Sequence, residues 1–183
     1  DYTSLTFPNY SLDNPARFLS EDEFGNEYHG WQNFGLTGEI MTYPWIKTTY
    51  TYQMYSFFIR TDLQTLYNDV NLPDTLSTLP EWIANTQGDG NRILWYSMGQ
   101  SLPEEIILLD VETITATNNA QTFIRAEYSV TINTHLQQWI VYFMDVDGVY
   151  SSYSIRVNDN YDTVLSTADF IVQSYQLKTP PIE

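Results

Sequence analysis

Apolar and polar positions alternate with two different periods along this chain, and the change of period marks its elements. After residue 90, four runs rich in branched and aromatic side chains follow one another: RILWYSMG, EEIILLDVETITAT, TFIRAEYSVTIN and QQWIVYFMDV, joined by NNA and THL. Such runs fit a pleated, half-buried surface, and neighbours in sequence that are joined by short turns pair antiparallel. Between QQWIVYFMDV and VYSSYSIRV lies Asp147-Gly148, a pair suited to the positive-φ geometry of a two-residue hairpin turn. The period then lengthens. Val164, Leu165, Ala168, Ile171, Val172 and Tyr175 form an apolar stripe at helical spacing, which predicts a helix from Tyr161 to Leu177, entered through NDNYD and closed by Pro180 and Pro181.

The first half is less regular. Residues 1 to 35 mix short apolar pairs with turn formers and read as extended segments and loops. Glu39 to Arg60 is dense in Tyr, Thr, Trp and Phe and reads as one or two strands broken near Pro44. Thr61 to Val70 places Leu63, Leu66, Tyr67 and Val70 on one helical stripe. Leu76, Leu79, Trp82 and Ile83 predict a second helix over Pro73 to Thr86, split or restarted at Pro80 and ended by QGDGN. The predicted fold class is α+β: one domain whose antiparallel sheet of about five to seven strands has helices packed on it.

The order of elements in the last third resembles the carboxy-terminal half of the PsbP/Mog1-like family. The features that carry the resemblance are the strand pair joined by Asp147-Gly148, the small-residue strand VYSSYSIRV, an acidic link, and a helix closing on SYQL; Phe7-Pro8 matches the family's opening. The resemblance implies an α/β/α sandwich, with the sheet between helices. It also implies an exported, bacterial lipoprotein-type protein, attached to the cell surface through a lipid-bearing cysteine ahead of Asp1.

Charge narrows the partners. With 23 Asp and Glu against seven Lys and Arg, a net charge of −16 repels phosphate backbones and anionic headgroups, so nucleic acid is not an expected partner. The acidic residues are spread through both halves, as on a solvated surface. The absence of cysteine excludes disulfides, a thiol nucleophile and Cys-ligated zinc from this chain. No apolar run approaches the roughly 20 residues that a membrane-spanning helix needs.

Chemistry-bearing candidates are few. In TTYTYQMYSFF (Thr48 to Phe58), strand alternation places Tyr50, Tyr52, Met54 and Phe58 on one face and Tyr55, Phe57 and Ile59 on the other. Rings on both faces suit the interior of a covered sheet. The end nearest Pro44 also suits a ligand platform, because Tyr43, Trp45, Tyr50 and Tyr52 are interspersed with Thr and Lys, and rings flanked by hydroxyls stack on sugars or extended peptides. Asn158, Asn160 and Asp162 have the spacing of calcium-loop ligands, with Asp169 at the twelfth place, but Thr163 stands where such a loop needs Gly and the same residues suit a helix cap. Asp145 and Asp147 serve the hairpin turn first and an ion second.

His29 and His135 lie outside any metal-ligand motif, and no G-x-S-x-G elbow frames a serine nucleophile. Glu104 with Glu105, or Glu81 with Asp89, are the acid pairs on offer, and Asn9-Tyr10-Ser11 is a formal glycosylation acceptor. These features predict a non-catalytic binding or accessory module without a cofactor, holding a glycan or a peptide on the aromatic edge near Tyr43 to Tyr52, and the resemblance implies that it is exported. A secreted hydrolase of the same ligands and a structural spacer are the alternatives.

Overall fold

The computed structural model describes the backbone of residues 2–7, 17–21, 27–30, 39–42, 47–52, 54–86, 89–94 and 103–178; side chains are described for the same residues except Tyr2, Asn91 and those from 17 to 50. The chain opens with strands β1 (Tyr2–Thr6), β2 (Arg17–Glu21), β3 (Glu27–Gly30), β4 (Glu39–Thr42), β5 (Lys47–Thr51) and β6 (Tyr55–Arg60). Helices α1 (Leu63–Leu66), α2 (Leu79–Asn85) and α3 (Asp89–Leu94) lead into the long strands β7 (Glu105–Thr115), β8 (Thr122–Ile132), β9 (His135–Val146) and β10 (Val149–Val157). Helix α4 (Tyr161–Gln173) and the short β11 (Gln176–Lys178) complete the order.

The fold is α+β, and its strands are antiparallel. The stretch β6-β10-β9-β8-β7 is the part of the main sheet with described side chains, and β5, β2 and β3 continue it beyond β6. A second, small sheet has the order β11-β1-β4. The predicted hairpin turn is present: Asp147 and Gly148 have φ of 54° and 83°, and Asp145 Oδ1 accepts a hydrogen bond from Gly148 N at 2.8 Å. The β8–β9 turn does the same with Asn133 and Thr134, at φ of 48° and 65°.

After β6 the chain passes beneath the sheet as α1 to α3, reaches the far edge at β7, and returns by three hairpins until β10 lies beside β6. Each face is therefore covered by a different set of elements. On one face Tyr55, Phe57, Ile140, Tyr142, Tyr153 and Ile155 meet Val164, Ala168, Ile171 and Val172 of α4, together with Leu5 of β1. On the other, Phe58, Tyr128, Trp139 and Phe143 meet Leu63, Leu79, Ile83 and Ile93 of the three shorter helices. Val164, Ile171 and Val172 are fully buried, and each contributes roughly 1.5–3 kcal/mol to holding α4 on the sheet.

Polar contacts fix the shorter helices. Tyr128 Oη donates to Pro80 O at 2.8 Å, and Gln64 holds the β9–β10 turn by donating to Gly148 O and accepting from Tyr150 N.

Several boundaries differ from the sequence reading. Glu39 to Arg60 yields three strands, one of them in the small sheet. Alternation stops at the β5–β6 turn, where Tyr52 N donates to Tyr55 O, so Tyr52 and Met54 pack with the α4 face and not with Phe58. The stripe over Thr61 to Val70 forms only the four-residue α1, capped by Asp62 Oδ1 on Thr65 N. As expected at Pro80, α2 starts afresh, with the proline in its first turn.

The start of RILWYSMG is helical: α3 begins inside QGDGN, which was read as a terminator. Its Gly90 lies so close to α2 that an added Cβ would stand 2.3 Å from Ile83 O. Gly90→Ala is therefore expected to cost about 1–3 kcal/mol in chemical denaturation, as overpacking against backbone does. An unchanged midpoint would show that the helices separate freely.

The last helix ends at Gln173, and the Gln176-Leu177 half of SYQL lies in β11 beside β1. Ser174 makes this turn by accepting from Thr6 N and donating to Ile171 O.

Finally, β7 carries one extra residue. Its register with β8 shifts between Leu108 and Asp110, and Leu109 is more than half exposed.

Candidate functional site

The β8–β9 turn, the end of β10 and the start of α4 meet at one corner of the sheet. They enclose an open cleft of about 500 Å3, lined by residues 136–138 and 156–161. The strand ends expose side chains here because α4 begins only at Tyr161 and leaves the last cross-strand row, Ile107, Ser129, Gln138 and Val157, beyond its first turn. Leu136 is 71% exposed at the mouth.

The link from β10 to α4 is held from below and from within. Met54 O accepts from Asn158 N at 2.8 Å and from Asp159 N at 3.2 Å. Asn160 sits at φ 51° as the N-cap of α4, its Oδ1 accepting from Thr163 N, and Asp159 Oδ1 accepts from Asn160 N.

Arg156 is half-buried in the cleft wall. Its Nε donates to Asn158 Oδ1 and one terminal nitrogen to Ser56 Oγ, both at 3.3 Å, and burial lowers its pKa. Gln137 accepts from Trp139 Nε1 through Oε1, which leaves its NH2 group as donor. Asp159 is the carboxylate among the lining residues. The lining is thus mostly amide, guanidinium and phenol. It can hydrogen-bond a polar ligand, and it does not pair an acid with a base across the space.

Behind the cleft stands an ionic cluster centred on the buried Arg125. Arg125 on β8 donates to Asp169 of α4 and Glu112 of β7, each at 2.8 Å, and lies 3.2 Å from Glu127 and 4.0 Å from Asp110. Tyr142 donates to Asp169 Oδ1 and Tyr161 to Glu127 Oε2. Burial, reinforced by these carboxylates, pushes both phenols well above their usual range. Both oxygens of Asp169 and both of Glu127 are engaged, so these carboxylates clamp α4 to three strands and are poorly placed to abstract a proton. Through Tyr161 the same clamp stiffens one wall of the cleft.

Some of the sequence-predicted candidates fall around this corner, some elsewhere in the fold and some outside the described residues. Tyr43 and Trp45 lie outside, as does Asn9-Tyr10-Ser11. Tyr50 is in β5, opposite Phe18 and Phe57, and only its backbone is described. Tyr52 is half-buried at the β5–β6 turn, its ring 5.7 Å from that of Tyr55. This turn is the one that supports Asn158 and Asp159.

Of the calcium-spaced residues, Asn158 and Asn160 use their side-chain oxygens on Arg156 and Thr163 as the helix-cap reading requires, and Asp162 is exposed. Asp169 belongs to the Arg125 clamp. Among the described residues no group of three or more His, Cys, Asp or Glu could hold a metal ion. Glu81, Asp89, Glu104, Glu105 and His135 are exposed, and His29 is described only as backbone in β3.

Gln137, Gln138, Arg156, Tyr161 and the Arg125 clamp were not singled out from the sequence. One signal was available: Arg156 interrupts a strand otherwise made of small and apolar residues. Comparison with family models, with curated proteins and with solved structures returned no match. No helix among the described residues is long and apolar enough to cross a membrane.

Proposed function

We propose that this protein is a non-catalytic binding module, exported to a bacterial cell surface, that holds a glycan or a peptide at the β8–β9, β10–α4 corner. The observation that carries the binding reading is the composition of the cleft, in which Gln137, Gln138, Arg156, Asn160 and Tyr161 line a ligand-sized space at the end of the sheet, Gln137 and Arg156 from the side of α1 to α3 and Gln138 and Tyr161 from that of α4. Its wall is stiffened by buried hydrogen bonds, so little ordering is left for a ligand to impose. Tyr52 and Tyr55, at the neighbouring β5–β6 turn, bring rings to the same corner. Export and surface attachment rest on the PsbP/Mog1-like resemblance of the last third of the sequence. A secreted hydrolase is the alternative, and it requires a second carboxylate facing Asp159.

The test is a screen of oligosaccharides and extended peptides by isothermal titration, followed by variants. A Gln138→Ala variant is expected to weaken the selected ligand about fivefold, the worth of one hydrogen bond, with the fold unchanged. If binding survives that change and is lost on replacing Tyr43, Trp45, Tyr50 and Tyr52 by Ala, the aromatic edge is the site and the cleft is not. Turnover of a bound oligosaccharide would favour the hydrolase.

A further inference from the structure

In a protein with 23 acidic and seven basic residues, a guanidinium finds a carboxylate easily. Arg92 is paired with Asp69 at 2.9 Å, and Arg125 with four acids. Arg156 departs from this pattern. It is half-buried, its described hydrogen bonds go to the neutral oxygens of Asn158 and Ser56, and among the described residues no carboxylate lies within ion-pairing distance of it. A partly desolvated cation whose partners are neutral is under-compensated. Two of its five N–H groups are used, which leaves one terminal nitrogen and part of the other for a bidentate acceptor. Arg156 is one of the residues that line the cleft of about 500 Å3, and so is Asn158, to which its Nε donates.

We propose that Arg156 is the counter-ion for the carboxylate of an acidic sugar, and that the cleft binds a glycan end bearing one uronate group. This deepens the binding-module reading and rests on it. Beside Arg156 the lining offers the amides of Gln137, Gln138 and Asn160. Gln138 both donates and accepts, Gln137 and Asn160 donate through their NH2 groups, as hydroxyl partners require, and the apolar lining is Leu136, Val157 and the ring of Tyr161. A peptide would ask for more apolar pocket than that. A single charge is specified by the surroundings: Asp159 stands at the same cleft, and a protein of net charge −16 repels a polyanion.

The experiment is titration of the full chain, by isotope-edited NMR and calorimetry, with three probes: a disaccharide ending in glucuronate, the same disaccharide with that carboxylate reduced to the alcohol, and a tripeptide with a free terminal carboxylate. The uronate is expected to bind at least tenfold more tightly than its reduced form, with shifts centred on Gln138, Arg156 and Asn160. Arg156→Gln should abolish that difference while leaving the binding of the reduced sugar unchanged, and Arg156→Lys, which keeps the charge and loses the planar fork, should retain part of it.

Equal binding of the two sugars would overturn the counter-ion assignment while leaving the binding module intact, and preference for the tripeptide would overturn the choice of a sugar. Failure of all three probes to bind, while another oligosaccharide or peptide from the screen does, would overturn this inference alone. Failure of the whole screen would overturn the binding module as well.

Discussion

Replacing Arg125 by Gln is expected to remove about 3–5 kcal/mol of unfolding free energy, because Asp169 and Glu127 would lose the cation that offsets their partial burial, and the exposed Glu112 would add to the repulsion among the three. The loss is measured as a shift of the urea midpoint at unchanged slope. Asp169 is the member on α4, so it also joins the helix to the sheet. Adding Asp169→Asn to the variant removes one of the stranded charges, and the double variant should be more stable than Arg125→Gln alone. If the double variant is instead less stable by the sum of the two single losses, the four acids do not act as one cluster.

Raising the pH is expected to unfold the protein sharply. Tyr128, Tyr142 and Tyr153 are buried, and burial raises the pKa of all three phenols; Asp169 adds to the shift at Tyr142 and Tyr175 to that at Tyr153. Below about pH 10 the same phenols are protonated in folded and unfolded chains alike, so they leave stability unchanged there. Above it the unfolded chain loses protons that the folded chain keeps, and stability falls with each further pH unit. Three such groups give a slope of about 4 kcal/mol per pH unit, which exhausts a typical stability within two or three units. Tyrosinate absorbance and loss of tertiary circular dichroism should therefore rise together in one steep step. Gradual ionisation near pH 10 with tertiary structure retained would show that these rings reach solvent.

Elements governed by their own residues were readable in advance. Asp147-Gly148 could be assigned because its positive-φ turn needs no distant partner, and the α4 stripe because six apolar residues recur at one period. The misread segments depend on distant partners. QGDGN carries the composition of a terminator, and it opens α3 only because Gly90 can approach Ile83. Gln176 and Leu177 could continue a helix, and they extend because β1 offers an edge. Tyr52 and Met54 followed the alternation of their neighbours on paper, but the turn at Tyr52 changes their face.

The site was harder to read than the fold. Gln137, Gln138 and Arg156 are ordinary strand-end residues until β9 and β10 pair and α4 starts above them. The Arg125 clamp needs residues from β7, β8 and α4 brought together, and neither spacing nor composition announces that. Tyr43, Trp45, Tyr50 and Tyr52 were conspicuous because they cluster within ten residues, whereas Gln137, Gln138 and Arg156 come together only through strand pairing.

The extra residue at Leu109 acts as a phase correction. Before it, the odd-numbered positions of β7 look toward α4; after it, the even-numbered ones do, which is how Asp110 and Glu112 come to stand beside Arg125 while Ile106, Leu108 and Val111 share the opposite side. Two segments with incompatible rhythms are thereby spliced into one ribbon. The acids of β7 owe their place in the clamp to a single residue that takes no part in it.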